Sequence, residues 1–414
     1  MLQRQLQNNK PASYDSTKMY FDGYTKDGLN YLNPVYQLLY NSEKMKAHLG
    51  ERRFYDNASQ WISFTSDYQT SNALAETDHD TLTLKSEKQI DGLINSYKGS
   101  KHVDAKQYIL HKAANYRIIM INEAHHNPSH RAFTFSLLDG LYKQGYKYFA
   151  METFNNHPFH TLDKVTMLTG TYTSEPVGGE LVRHALKLGY KLISYEDTVS
   201  TPGQTPTQRD SAQANHIYQV LQKDRTAKIL VHAGYGHITR EKIGDYIPLG
   251  KALHTLSDVP YLSIDQTDYS EGSHYNFQRI AYNSYLKKYP ATSPVIALKK
   301  NTDVNLFDTS LYDLNVIHPK TRYENERPVW ASLNGLRKKY VIEKKLITPN
   351  TFYVQAYYQK EMPGNKIETL IPADQTYYKT SRGDLVLYLH KDDYLIICRD
   401  ALYNVIKTIK VRVK

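Results

Sequence analysis

The stretch Ile118-Ile119-Met120-Ile121-Asn122-Glu123-Ala124-His125-His126-Asn127-Pro128-Ser129-His130-Arg131 decides how this chain reads. A short apolar run stops abruptly at a carboxylate, three histidines and an arginine. Such a run fits a strand buried on both faces, and the amphipathic segment after it fits a helix crossing back over a sheet. In an open α/β sheet, ligands bind in the crevice outside the carboxyl ends of the strands, where this junction would lie. Further along, Ile229-Leu230-Val231-His232-Ala233-Gly234-Tyr235-Gly236-His237 repeats the arrangement. Two strands that each end in histidines point to one polar site assembled from distant parts of the chain.

Working outward, strands alternate with helices from residue 116 to about 266. Strands are predicted at 117–121, 146–151, 191–195, 228–232 and 261–264, and helices at 132–144, 179–188, 209–222 and 250–256. This alternation predicts a three-layer α/β/α domain over 113–290, with a mostly parallel sheet covered on both faces. The segment 155–178 carries His157, Pro158, His160 and Gly170; it is long for a connection and reads as a lid or pocket wall. Residues 28–112 read as a helical N-terminal region packing on the core. One helix opens at Val35 and runs toward a C-cap at Gly50, a second covers 86–94 and a third 103–114. Residues 1–27 read as a flexible lead-in. Residues 291–414 read as a β-rich, sandwich-like C-terminal domain, with strands at 353–358, 384–389, 394–398 and 405–413 and a hairpin at 389–394.

Composition narrows the function classes. Apolar residues make up 40% of 414, enough for a packed core. The net charge is +10, but the basic residues are dispersed, with only short clusters such as Arg337-Lys338-Lys339. That favours general surface charge over a nucleic-acid partner. The 37 tyrosines suit half-buried sheet or partly wet grooves. Cys398 is the single cysteine and lies in an apolar run, so no internal disulfide forms and an inert thiol is expected. No window is apolar enough for a transmembrane helix. The first ten residues lack the apolar core of a signal peptide, so the sequence as it stands reads as cytoplasmic, or as envelope or secreted where the N-terminus was processed. The expected partner is a small-molecule or peptide substrate.

The predicted strand ends supply Glu123, His125, His130 and Arg131; then Glu152; then Glu196 with Asp197; then His232, Tyr235 and His237. Arg209 and Asp210 open the helix after the loop 200–207. Carboxylates beside histidines bind a divalent metal, orient a histidine that activates water, or form a buried ion network with the arginines. Gly234-Tyr235-Gly236 lacks the third glycine of a dinucleotide fingerprint and no Walker lysine follows it. There is no Gly-x-Ser-x-Gly elbow. Water activated by histidine or by metal is therefore the economical hydrolytic chemistry.

The ordered set Asn122-Glu123-Ala124-His125…His130, Ala150-Met151-Glu152, Arg209-Asp210…Asn215 and Gly234-Tyr235-Gly236-His237 resembles the erythromycin esterase / ChaN / Tiki superfamily. Glu123 to His130 is similar to the Gly-Glu-x-His-x-x-Pro-x-His signature of the ChaN-type branch, and Arg209 to Asn215 to the Arg-Asp-x-x-Met-Ala-x-Asn pattern of the esterase branch. The resemblance covers residues 110–270. It implies a polar cleft on an α/β domain, in which His125 is general base or metal ligand and Glu123 and Glu152 are its carboxylate partners. Arg209 would hold a substrate carboxylate or oxyanion, and His237 would complete the site. A metal (zinc, manganese or cobalt) would sit on His125, Glu123 and His237. His130, Arg131, Glu196, Asp210, His232, Tyr235 and Asn215 would line the binding cleft. The leading expectation is a hydrolase of esters or amides. The alternatives are a protein binding haem or another ligand, and a degenerate scaffold whose β domain binds glycans or a partner. The signature has glycine where this chain has Asn122, whose side chain is expected to narrow the pocket or alter the backbone there.

Overall fold

A computed structural model of the chain describes residues 17–77, 84–155, 162–197, 203–300, 302–303, 311–378 and 384–414. The apolar runs form a six-stranded sheet. Its strands are β1 Ile118–Glu123, β2 Tyr146–Met151, β3 Lys191–Ile193, β4 Lys228–Gly234, β5 Tyr261–Asp265 and β6 Leu314–Asn315. They lie in the order β6-β5-β1-β4-β2-β3, and every neighbouring pair is parallel. The chain leaves β1 past β4 to reach β2, and leaves β4 past β1 to reach β5. Where neighbouring connections part in this way, a crevice opens at the carboxyl ends of the two strands.

Helices cover both faces. Helices α1 Ser129–Lys143 and α2 Pro176–Leu188 share a core with Ile119 and Ile121 of β1. Helices α3 Pro206–Lys223 and α4 Leu249–Ser257 share another with Ile118 and Met120. Alternate residues of β1 thus enter opposite cores, which is why its first four residues, Ile118 to Ile121, are all apolar. The sheet register then sets the site. Glu123 pairs with Gly234 across β1 and β4, and Met151 with His232 across β2 and β4, so the polar strand ends arrive at one level.

The flanking regions depart from the sequence expectations in several places. Within 1–27, the described part is packed: Phe21 is buried and the Tyr24 hydroxyl bonds Ser174. The helix expected from Val35 to Gly50 is two helices, Asn33–Tyr40 and Ser42–Leu49. Asn41 breaks it by turning its amide to the Lys18 carbonyl. Residues 101–104 form a strand rather than a helix start and pair with Val295–Lys299. Asn276–Lys288 is a helix that the sequence reading omits.

The tail is antiparallel. Lys338–Ile342 pairs with Leu385–Leu389, and Asp374–Tyr377, Tyr353–Tyr358, Asp393–Arg399 and Val405–Arg412 form a second sheet in that order. Side chains from both sheets, Leu387 and Ile396 among them, share one core. The hairpin expected at 389–394 is therefore a corner between sheets, since Leu385–Leu389 and Asp393–Arg399 take different partners. Buried tyrosines join the regions. Tyr36 donates to the Ala401 carbonyl, Tyr353 to that of Thr65 and Tyr31 to that of Ser174. Each fills core volume with its ring and satisfies a distant backbone oxygen.

Candidate functional site

Glu123, the last residue of β1, is buried and fully engaged. Arg131, in the first turn of α1, grips it with two bonds, Nε to Oε2 at 2.7 Å and Nη2 to Oε1 at 2.8 Å. His232 Nε2 lies 2.9 Å from Oε2, and His125 Nδ1 lies 3.0 Å from Oε1. Burial opposes ionisation of Glu123, but Arg131 and the two histidines hold its carboxyl well below the usual range. An ionised carboxylate only accepts hydrogen bonds, so His125 donates from Nδ1 and keeps its lone pair on Nε2. The Tyr172 ring stacks on His125 at 4.0 Å between centroids and fixes its plane.

A second histidine mirrors the first. His237 Nδ1 lies 2.7 Å from Asp210 Oδ2, and Asp210 opens the second turn of α3, just past the Thr205–Gln208 capping box. The Tyr246 hydroxyl and the Leu249 amide also bond that oxygen. Burial works against protonation of His237, but Glu152 and Asp210 prevail and raise its pKa.

Glu152 belongs to both halves of the site. Its Oε1 accepts from Arg209 Nη2 at 3.0 Å and lies 3.5 Å from His237 Nε2, while Oε2 accepts from the Gly234 amide at 2.6 Å. Burial again opposes ionisation, but His237, His125, Arg209 and that amide lower its pKa to about 2. The sign of the pH effect follows. The Glu152 contribution to stability is complete above pH 4.5 and fades as the pH falls toward 2. It amounts to about 3 kcal/mol at about 1.4 kcal/mol per pH unit. The His237 contribution is complete below pH 6.5 and fades as the pH rises through its folded value. Urea unfolding across this range is expected to give greatest stability between these limits for the two groups, and Glu152→Gln is expected to flatten the acid limb. An acid limb unchanged in Glu152→Gln contradicts this assignment.

Gly234 makes the approach sterically feasible. A Cβ there would sit 2.4 Å from His125 Cε1 and 3.1 Å from Glu152 Oε2. Gly234→Ala is therefore expected to swing His125 off Glu123 at a stability cost of about 1–3 kcal/mol. Ring NMR of His125 reads the displacement, and an unchanged His125–Glu123 bond in that variant would refute it.

The other predicted site residues divide clearly. Glu196 holds Arg209 through two bonds and takes a third from Gln213. Arg209 thus has Nε and Nη2 committed to carboxylates. Arg131 does not line the cleft: it is fully buried beneath Glu123 and also reaches Glu175 at 3.4 Å. His130 is likewise buried, and its Nδ1 accepts from the Ala124 amide, fixing the loop. His232 supports Glu123 from within the core. Asn215 is exposed on α3, and Gln213 takes the inward position instead. Tyr235 is at the rim, 38% exposed, with φ +39°. His157 and His160 lie outside the described residues.

Asn122 does not narrow the pocket. Its amide donates to Asp265 Oδ1 and the Tyr235 carbonyl, and its Oδ1 accepts from the Gln266 amide. It braces the loop that carries Tyr235 and points away from the cleft. Sequence reading missed Tyr172, Glu175, Tyr246 and Gln213. Only the position of Gln213, one turn past Arg209, offered a signal.

Glu123, His125 and His237 do not make one metal ligand set. Both Glu123 oxygens are taken by Arg131 and histidines, and Glu152 stands between the two cleft histidines. Among the described residues, no three His, Cys, Asp or Glu side chains group to hold a metal ion. No described helix is long and apolar enough to cross a membrane.

No protein-family model and no curated protein matches the chain. Solved structures that align with it include RRSP, a MARTX toxin effector domain from Vibrio vulnificus CMCP6, at 16% identity over 55% of this chain with a TM-score of 0.29. The alignment spans 47% of the RRSP chain. The type III effector HopBA1 aligns at 12% identity over 53% of this chain and 97% of its own, with a TM-score of 0.29. A structure described as "Bacterial protein toxins" aligns at 16% identity over 65% of this chain and 63% of its own, with a TM-score of 0.30. TM-scores this low establish neither a shared fold nor a shared activity.

Proposed function

We propose that the chain is a hydrolase of esters or amides, related to the erythromycin esterase / ChaN / Tiki superfamily, that activates water with protein groups alone. The carrying observation is the pair of partly exposed histidines, each oriented by a buried carboxylate and both facing Glu152. His125 Nε2 takes a proton from water as its oxygen attacks the substrate carbonyl. The Nδ1–H bond to Glu123 stabilises the imidazolium that forms. His237, biased toward its protonated form, gives the Nε2 proton to the leaving oxygen or nitrogen as the scissile bond breaks. Proton return from His125 to His237, through Glu152 or solvent, restores the starting state. Arg131 has no contact with substrate in this scheme; it keeps Glu123 ionised.

The test is a panel of activated esters and unstructured peptides assayed with and without EDTA. Turnover unaffected by EDTA is expected. Failure to hydrolyse any of them, or activity that EDTA removes and zinc restores, overturns the proposal.

A further inference from the structure

A cavity of about 590 Å³ lies on the α1 side of the sheet, and none of Glu123, His125, Glu152, Arg209 or His237 lines it. Ser129, Phe133 and Ser136 form a wall from one face of α1, and His318, Lys320 and Trp330 contribute from the segment after β6. That size is typical of a small-molecule site.

The hydrogen-bond network fixes what His318 presents. Gln266 donates from its amide nitrogen to the Asn122 carbonyl at 2.6 Å and the His130 carbonyl at 3.3 Å. Its Oε1 is therefore an acceptor, and His318 Nε2, 3.2 Å away, must carry the proton. The lone pair is left on Nδ1, which has no partner among the described residues. His318 is 5% exposed, and burial pushes its pKa down to about 3, so the ring is neutral. Trp330 Nε1 is a buried donor without a partner. Lys106, Lys320, Arg322 and Asp104 bring charge of both signs to its lining. Lys320 lies 3.7 Å from Glu271, Arg322 lies 3.3 Å from Glu324, and Asp104 caps the Gln107 amide.

We propose that this cavity binds a small neutral polyhydroxylated molecule of the sugar class, with a hydroxyl donating to His318 Nδ1 and an apolar ring face against Phe133 and Trp330. A hydroxyl donates as well as accepts, which suits a bare acceptor in the cavity wall. A fully ionised anion, by contrast, carries no proton to donate to His318 Nδ1. Because Gln266 also bonds the backbone of Asn122, the site adjoins the strand that ends in Glu123.

The experiment titrates the whole protein with glucose, maltose, cellobiose and N,N′-diacetylchitobiose, using calorimetry and long-range ¹H–¹⁵N NMR of the His318 ring. The free ring is expected as the Nε2–H tautomer. At least one sugar is expected to bind saturably and shift the Nδ1 resonance. His318→Phe is expected to weaken that binding about tenfold or more, as loss of one buried hydrogen bond does. Thr292→Trp, an exposed substitution at the cavity lining, is expected to block it while the protein stays folded. His125→Ala is expected to bind as the parent does. The proposal is overturned by no saturable binding of any of the four sugars, by inorganic phosphate binding there in their place, by binding that survives both His318→Phe and Thr292→Trp, or by binding lost in His125→Ala.

Discussion

His125→Ala is expected to lower kcat/KM for any ester or amide the protein hydrolyses by about 10²–10⁴-fold, the usual worth of a positioned general base. The fold should survive. His125 is partly exposed in the cleft, and its removal leaves Glu123 bonded to Arg131 and His232. The far-UV spectrum and urea midpoint are expected to stay near those of the parent. Three controls separate chemistry from scaffolding. His237→Ala should also lose activity, most for substrates with poor leaving groups, because protonation matters least where the leaving group is already stable. Asn215→Ala should change nothing, since that side chain faces solvent on α3. Tyr172→Leu should lose an intermediate amount, because it removes the stack that holds the His125 ring but not the ring itself. Full activity in His125→Ala would end the general-base assignment, whatever the substrate.

Much of this arrangement was legible in the sequence because parallel strands leave an unmistakable trace. Strands buried on both faces are apolar at nearly every position, so β1 and β4 stand out as apolar runs that end at polar residues. Glu123, His125, Glu152, Arg209, Asp210 and His237 were each readable as the first polar residues beyond such a run or in the helix turn that follows it. The direction of each side chain was not readable. Arg131 and His130 lie on the same helical turn as one another, yet both turn inward, because Glu123 needs a cation and the Ala124 amide needs an acceptor. Asn122 looked like an intrusion because the partner that absorbs it, Asp265, lies at the end of β5, far along the chain. The helix Asn276–Lys288 was hidden by chemistry. Its buried face is Ala281, Tyr282 and Tyr285, and tyrosine blurs the apolar period that marks a helix. β6 spans two residues, too short for any pattern, and is defined by its pairing with β5.

Arg131→Met is expected to cost about 3–5 kcal/mol of folding free energy, the usual result of removing one partner from a buried ion pair. The side chain is fully buried. Without the guanidinium, Glu123 and Glu175 face each other's charge in a low-dielectric interior. Burial pushes the Glu175 carboxyl up even with Arg131 present, with Tyr68 and the Gly178 amide helping to hold it. In the variant both carboxyls should titrate higher. A carboxyl whose folded pKa exceeds its unfolded value disfavours folding once the pH passes the unfolded pKa. The deficit of Arg131→Met relative to the parent should therefore be smallest in mild acid and grow as the pH rises to neutrality. The double variant Arg131→Met/Glu123→Leu removes both members of the pair and should recover part of the loss, since no ionised Glu123 is left unpaired. It should nevertheless remain inactive, because His125 has lost the carboxylate that orients it. Urea unfolding at several pH values measures all three proteins. A deficit independent of pH, or a double variant no more stable than Arg131→Met, would mean that Arg131 acts mainly by packing against Tyr172 rather than by holding Glu123 ionised.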